Sequence, residues 1–319
     1  MSRLPTFFLA GAPKAGTTSL FHYLDQHPEI FMSSFKEPCF FSPEIREEYL
    51  DPLLRRLADR DRKALRDFLN GPMLEKRFGG IVDNWEDYLR LFANATTEKV
   101  IGEGSVCYLW SPSAPERIAE TIPNAKILIQ LRDPSDRAFS QYIHGVSAGF
   151  VKESFREHIE RSLRNPPGQI SVCHPLLDLG LYSAQVSRYL DRFGSNVWIG
   201  FYDDFRARPI EVFQEICRFL DVDPSFVPQM NRRYLKPQVP RFSAMNWLKH
   251  SGLWAAMAKR TPSALRPFIR RSLVRSPGTT QMDLADRSYL IDFYREDIRK
   301  LAALLGRNLD AWLLPTTRH

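Results

Sequence analysis

The chain has 319 residues, 44% of them apolar and 25% charged, with no low-complexity tract; this is enough length and the right balance for a globular protein with a full core. Its formal net charge of +7 and pI near 9.3 favour an anionic cofactor, substrate or surface. The four cysteines (39, 107, 173, 217) lack C-x-x-C spacing, which argues against a zinc site and a disulfide framework, and the opening residues and apolar runs are too short for a secretory leader or a membrane span, so the expectation is a soluble, cytoplasmic protein.

Phe7 to Ala10 form an apolar run that predicts a buried strand, Gly11 to Gly16 a small-residue loop, and Thr17 onward a helix with Leu20, Phe21 and Leu24 at core-facing spacing. A strand feeding a helix through a glycine loop aims free backbone N–H groups and the positive helix end at one spot, which suits a phosphate. His27-Pro28 ends that helix, and Ser33 to Ser42 (SSFKEPCFFS) reads as an exposed loop with a rigid turn. Residues 44–98 read as a helical excursion, broken at Gly71-Pro72 and Gly79-Gly80, and Val100 to Val106 as a strand. Pro115 to Thr121 suits a short helix. Lys126 to Leu131 (KILIQL) has the near-continuous apolar run of a parallel strand, and Asp136 to Tyr142 opens a helix after Arg132-Asp133-Pro134. Leu163 to Leu177 reads as a loop, Leu181 to Phe193 as a helix, Val197 to Tyr202 as a strand and Ile210 to Leu220 as a helix. Asn231 to Pro277 is basic and proline-rich; Trp247 and Trp254 lie on a stripe that suits packing over the sheet, with peripheral membrane contact through 245–275 as the other reading. Leu284 to Trp312 reads as a helix pair. Alternating strands and helices predict an α/β chain: a central parallel sheet flanked by helices around a P-loop-like nucleotide-binding core. We expect a single domain over 1–319, with the core sheet in about 5–225 and the basic loop and last helices in about 230–319.

Two anionic sites follow from this order. A nucleoside triphosphatase loop places lysine directly after its second glycine; here the lysine is Lys14, inside the loop, and Thr17 follows Gly16. The second site is the end of the Lys126 to Leu131 strand, where Arg132 and, two helical turns on, Ser140 can reach one phosphate. For Arg132-Asp133 the plainer alternative is a local ion pair. Taken together the sites fit a nucleotide phosphorylated at both its 5′ and 3′ positions. A phosphotransferase of the P-loop kinase type and a non-catalytic binder of nucleic acid or membrane stand as alternatives; the kinase is disfavoured by the place of Lys14 and by Arg132, with Asp133 in its favour.

The segments AGAPKAGTTSL, KEPCFF and LRDPSDRAFSQY, in this order, together with the closing LLGRNLDAWL, resemble the sulfotransferases that use 3′-phosphoadenosine 5′-phosphosulfate (PAPS), in particular bacterial ones and the heparan-sulfate type. The resemblance implies that Lys14, Ala15, Gly16, Thr17, Thr18 and Ser19 hold the 5′-phosphosulfate and that Arg132 and Ser140 hold the 3′-phosphate. Tyr182 and Arg241, the latter in the basic loop 236–241, are implied cofactor contacts. Glu37 is the implied general base, with His144 as runner-up, and Lys14 stabilises the departing phosphate. Lys36, Glu37 and Ser105 are implied acceptor contacts. Glycosaminoglycan enzymes usually carry Glu-Lys-[Ser/Thr]-Pro at the next strand; the stretch here is Glu103-Gly104-Ser105-Val106, without the lysine or proline, which argues against an acidic acceptor and leaves the cofactor site intact. The implied activity is sulfuryl transfer from PAPS by in-line displacement to an acceptor hydroxyl, on a glycan or glycolipid first, with a lipid or small-metabolite hydroxyl behind it. No metal and no nucleic-acid partner is implied.

Overall fold

The computed structural model describes residues 3–45, 62–148, 150–164, 175–230 and 281–316, with the backbone also given for 239–240 and 274–275. Arg241, Cys173, the 245–275 segment and most of the 163–177 stretch therefore lie outside the described residues. Five parallel strands form the main sheet: β1 (Phe7–Gly11), β2 (Ile30–Met32), β5 (Val100–Gly104), β6 (Lys126–Leu131) and β7 (Val197–Phe201), in the order β2-β5-β1-β6-β7. β3 (Phe35–Lys36) and β4 (Arg77–Phe78) make a separate parallel pair. β8 (Val239–Pro240) pairs antiparallel with β9 (Val274–Arg275).

β1 is central because it is apolar on both faces. Its side chains alternate: Phe8 and Ala10 join one core cluster, Phe7 and Leu9 the other. Ile127, Ile129 and Leu131 of β6 share the face of Phe8, whereas Leu128 shares that of Phe7. The Phe7 face is covered by α1 (Thr17–Leu24) through Leu20, Phe21 and Leu24, and by α9 (Pro209–Leu220) through Val212, Phe213 and Ile216. The other face carries α2 (Trp85–Arg90), α3 (Cys107–Trp110), α4 (Ala114–Thr121), α7 (Tyr182–Phe193) and α10 (Leu284–Leu305). α5 (Pro134–Ala148), α6 (Phe155–Arg164) and α8 (Tyr202–Ala207) lie among the other described helices, and residues 62–69 are helical as well.

Three expectations change. The Ser33 to Ser42 stretch, expected as an exposed loop, is mostly buried and contains the β3 strand, because Phe35 and Phe41 pack into the core. The C-terminal helix pair is one helix of 22 residues, stopped by Gly306 in the left-handed region (φ 60), followed by a single 3₁₀ turn at Asp310–Leu313. The helix after β6 begins at Pro134, two residues earlier than expected: Asp133 Oδ1 accepts from the amides of Ser135 (2.9 Å) and Asp136 (3.3 Å), capping it with proline as its first residue. β1 sits where the connections diverge, to β2 and β5 on one side and to β6 and β7 on the other. In such a sheet the ligand crevice opens beyond the carboxyl ends of the strands flanking that point. The segments that leave those ends are 12–16, 105–106 and 132–133.

Candidate functional site

The loop after β1 is tied to its neighbour at both ends. The amide of Ala12 donates to Gln130 O (2.7 Å), and Arg132 Nη1 donates to Lys14 O (2.9 Å). Lys14 itself has φ 66, a region a residue with a Cβ seldom adopts. Gly16 precedes α1 with φ 83 and offers no side-chain cap, so the first amides of that helix are left to a ligand or solvent. A Cβ at Gly16 would stand 3.1 Å from the ring of Tyr202, and the Arg132 guanidinium lies 4.7 Å above the same ring. Tyr202, missed in the sequence, thus packs under both halves of the loop site; its only signal there is an aromatic at a strand end.

Around Lys14 the charges are of one sign. Burial is the main reason that its ammonium pKa falls to about 8, and the positive charges of Arg132, Arg137 and Lys36 lower it further. Arg137 is the second arginine of the LRDPSDRAFSQY segment. It is fully buried on α5, donating to Gln141 Oε1 (2.6 Å) and to Leu176 O. Ser140 lies half-buried one turn further along that helix.

Asp133 does not pair with Arg132. Its carboxylate binds Arg287 of α10 (2.7 Å), and Arg287 also reaches Asp136 (2.6 Å); Arg287 and Asp133 are each 1% exposed. The local ion pair considered for Arg132-Asp133 is replaced by one that reaches 154 residues along the chain and leaves Arg132 facing the loop. Tyr182, implied as a cofactor contact, is completely buried, and its hydroxyl donates to Arg132 O (3.0 Å) at the strand end.

Opposite the loop stands Glu37, again at positive φ (67). Its amide donates to Gly104 O (2.8 Å), one carboxylate oxygen accepts from Val106 N (2.8 Å), and the other from the Lys36 ammonium. Lys36 is 2% exposed, and the Glu37 side chain 24%. Ser105, expected to touch the acceptor, is buried and already used: its hydroxyl donates to Glu103 Oε1 (2.6 Å) and accepts from Cys39 N (3.0 Å). Glu103 was quoted only as the first residue of the EGSV stretch, yet it lies at the centre of this side. Tyr108 (2.7 Å) and Tyr88 (3.2 Å) also donate to it, and burial raises its pKa to about 7. His144, the alternative base, is accessible on α5 but walled by enough protein that loss of solvation, and then the charge of Lys14, lower its pKa to about 4. Such an imidazole is neutral at pH 7 and a weak base.

The arrangement can therefore bind an anion beside Lys14 and present a carboxylate to whatever approaches it. The model of the sulfotransferase family matches residues 5–226. The chain is 28% identical over 326 residues to the bifunctional heparan sulfate N-deacetylase/N-sulfotransferase 2 of Bos taurus, covering 99% of this chain and 31% of that protein. To the N-deacetylase/N-sulfotransferase 3 of Homo sapiens it is 29% identical over 320 residues, with 98% and 31% covered. It thus spans about a third of the length of the curated relatives it matches. A sulfotransferase from Alicyclobacillus acidocaldarius has the same fold, with a TM-score of 0.71 and 30% identity over 97% of this chain and 99% of that one. These likenesses run through the loop, the Glu37 segment and the β6 end together, and they set the kinase reading aside: the chain belongs to the sulfotransferase family.

Proposed function

We propose that the protein transfers a sulfuryl group from PAPS to a nucleophile on a glycan. The observation that carries this is the cationic loop site: Arg132 donates to Lys14 O (2.9 Å), and the Lys14 ammonium, lowered first by burial, is lowered further by the charges of Arg132, Arg137 and Lys36. Cations crowd in this way, against their own repulsion, where an anion is to be bound. The residues fit PAPS at two places. The loop with Lys14, Ala15 and Gly16 and the open amides at Thr17, Thr18 and Ser19 takes the 5′ side, and Arg132 with Ser140 takes the 3′-phosphate.

When bound, PAPS supplies the sulfuryl group and a phosphate that leaves. Lys14 and the start of α1 meet the negative charge that grows on that phosphate; a preorganised donor of this kind is worth ~10²–10³ in rate. Glu37 accepts the proton of the attacking group. To do so it gives up its contact with Lys36 while Val106 N keeps the carboxylate in place. Lys36, once released, adds its charge beside Lys14. Sulfuryl transfer, like phosphoryl transfer, rests mainly on such positioning and electrostatics.

The glycan acceptor rests on the curated relatives, which are heparan sulfate enzymes; they are N-sulfotransferases, so an amine stands beside the hydroxyl as nucleophile. A lipid or metabolite hydroxyl is the second choice. The free thiols Cys39, Cys107 and Cys217 support a reducing, cytoplasmic setting, and the Arg287 bridge to the β6 end supports one domain.

The test is thermal stabilisation by 3′,5′-adenosine bisphosphate set against ATP with magnesium. At 100 times its Kd a ligand of the folded state adds about 2.7 kcal/mol, so the bisphosphate is expected to raise Tm clearly and ATP little. A shift with ATP alone overturns the reading.

A further inference from the structure

The segment that carries Glu37 is held from behind by two struts that meet in one carboxyl. In the first, Glu103 Oε1 accepts from Ser105 Oγ (2.6 Å), which accepts from Cys39 N (3.0 Å). In the second, Glu103 Oε2 accepts from Tyr108 Oη (2.7 Å), which accepts from Phe41 N (3.3 Å). Tyr88 adds a third hydroxyl at 3.2 Å. Glu103 is fully buried and has no ion-pair partner among the described residues. The backbone these struts reach is unusual: Glu37 and Cys39 both have positive φ (67 and 56). Non-glycine residues stay in that region only where their surroundings hold them.

We propose that Glu103 is a positioning residue for the sulfuryl-transfer base: its buried carboxyl, acting through Ser105 and Tyr108, holds residues 37–41 in the backbone conformation that aims Glu37 at the loop of Lys14. This rests on the reading of Glu37 as base. A carboxylate suits the role because both its oxygens accept and both struts end in hydroxyls that donate. A glutamine accepts on one side only, so one strut then faces an N–H₂ group. Added protons act in the same way. A protonated Glu103 carries a donor where all three neighbours already donate, and one of them must turn away.

The pH at which this happens is set by every group around it. Glu37 lies in front, Tyr88 on α2, Tyr108 and Cys107 on α3, Cys39 on the loop and Tyr189 on α7; Lys36 neutralises Glu37. None of the charged groups named beside Glu103 is a cation, and burial with the charge of Glu37 raises its pKa to about 7. A raised carboxyl takes up its proton as pH falls through that value. Turnover therefore has an acid limb centred near pH 7, which belongs to Glu103.

The experiment compares the full chain with Glu103→Gln by three measurements. The affinity for 3′,5′-adenosine bisphosphate is measured by calorimetry, the exchange of the 37–41 amides by mass spectrometry, and turnover against pH with labelled PAPS and fully desulfated heparin, which offers both amines and hydroxyls. The expected result is unchanged bisphosphate affinity and donor KM, exchange at least tenfold faster at 37–41, a kcat lowered about tenfold or more, and loss of the limb near pH 7. Unchanged exchange, or a kcat and acid limb like those of the intact protein, overturns the proposal. If Glu103→Gln does not fold, Ser105→Ala and Tyr108→Phe each cut one strut; faster exchange with lowered kcat in either supports the proposal, and neither effect in both overturns it. If the intact protein does not bind the bisphosphate, the PAPS reading fails. If it binds but transfers nothing to the heparin, the glycan reading fails. In both cases the exchange comparison still decides the role of Glu103.

Discussion

The two sides of the crevice treat charge in opposite ways. On the loop side Arg132, Arg137 and Lys36 all press on the buried Lys14 ammonium, and of these cations Lys36 alone has a carboxylate partner among the described contacts, Glu37. Behind Glu37 the ionisable groups are acids: Glu103, two tyrosines and two thiols, joined in an internal network of hydroxyls and amides. The first side is complete only when an anion arrives. The second is complete by itself and serves to shape a loop. Substitutions on the loop side should therefore change affinity, whereas those on the Glu37 side should change rate with affinity intact.

The sharpest test of that contrast is the pair Glu37→Gln and Lys14→Ala. Glu37→Gln is expected to lose ~10²–10⁴ in kcat, the usual value of a positioned base, while calorimetry gives the same bisphosphate affinity as the intact protein. Lys14→Ala is expected to lose ~10²–10³ in rate and also to bind the bisphosphate more weakly. If the two variants lose affinity equally, the division between the sides is wrong.

Next in size is Arg287→Met. It removes the Arg287 guanidinium from the buried Asp133 carboxylate and from Asp136, and breaking a buried pair in this way costs about 3–5 kcal/mol. Denaturant unfolding followed by circular dichroism measures it; a loss below about 1 kcal/mol would show that the other contacts of Asp133 satisfy it.

The smallest effect concerns pH and belongs to the loop side only. In the free protein Lys14 loses its proton from about pH 8 upward, because burial and the neighbouring cations lower its pKa. A bound phosphate reverses that, so binding above pH 8 takes up a proton and the affinity for the bisphosphate falls by up to about tenfold per pH unit. Titrations at pH 8.8 in two buffers of different ionisation enthalpy would reveal the uptake; equal heats would assign Lys14 an ordinary pKa.

Most of the sheet was legible because its strands are apolar on both faces: β1 and β6 fall within a residue of the expected Phe7 to Ala10 and Lys126 to Leu131. The loop residues were legible because a phosphate cradle needs glycine and a helix start at fixed spacing. What sequence could not show is where polar side chains turn. Ser105 and Tyr182 are residue types that bind ligands, but their hydroxyls point into the protein, a matter of packing between segments 66 and 50 residues apart. Arg287 was invisible for the same reason: its partners lie on another helix, and nothing local distinguishes it from a surface arginine. The α6 helix was missed where Arg and Glu alternate; it buries only Phe155, His158 and Ile159.

The Arg287 bridge has a consequence for where the folding unit ends. The stretch that matches the family model stops at residue 226, but the relatives align with 98–99% of the chain, so a fragment cut there would lose part of what they share. It would also remove Arg287 from Asp133, Asp297 from Ser183 Oγ, and Tyr294 from Leu177 O (3.0 Å). The helix from Leu284 to Leu305 is thus a clasp on the β6 end, the side of the crevice that carries Arg132. A chain shortened at 226 should therefore bind the bisphosphate more weakly than the full chain, because the cut takes away the brace behind the strand end that presents Arg132.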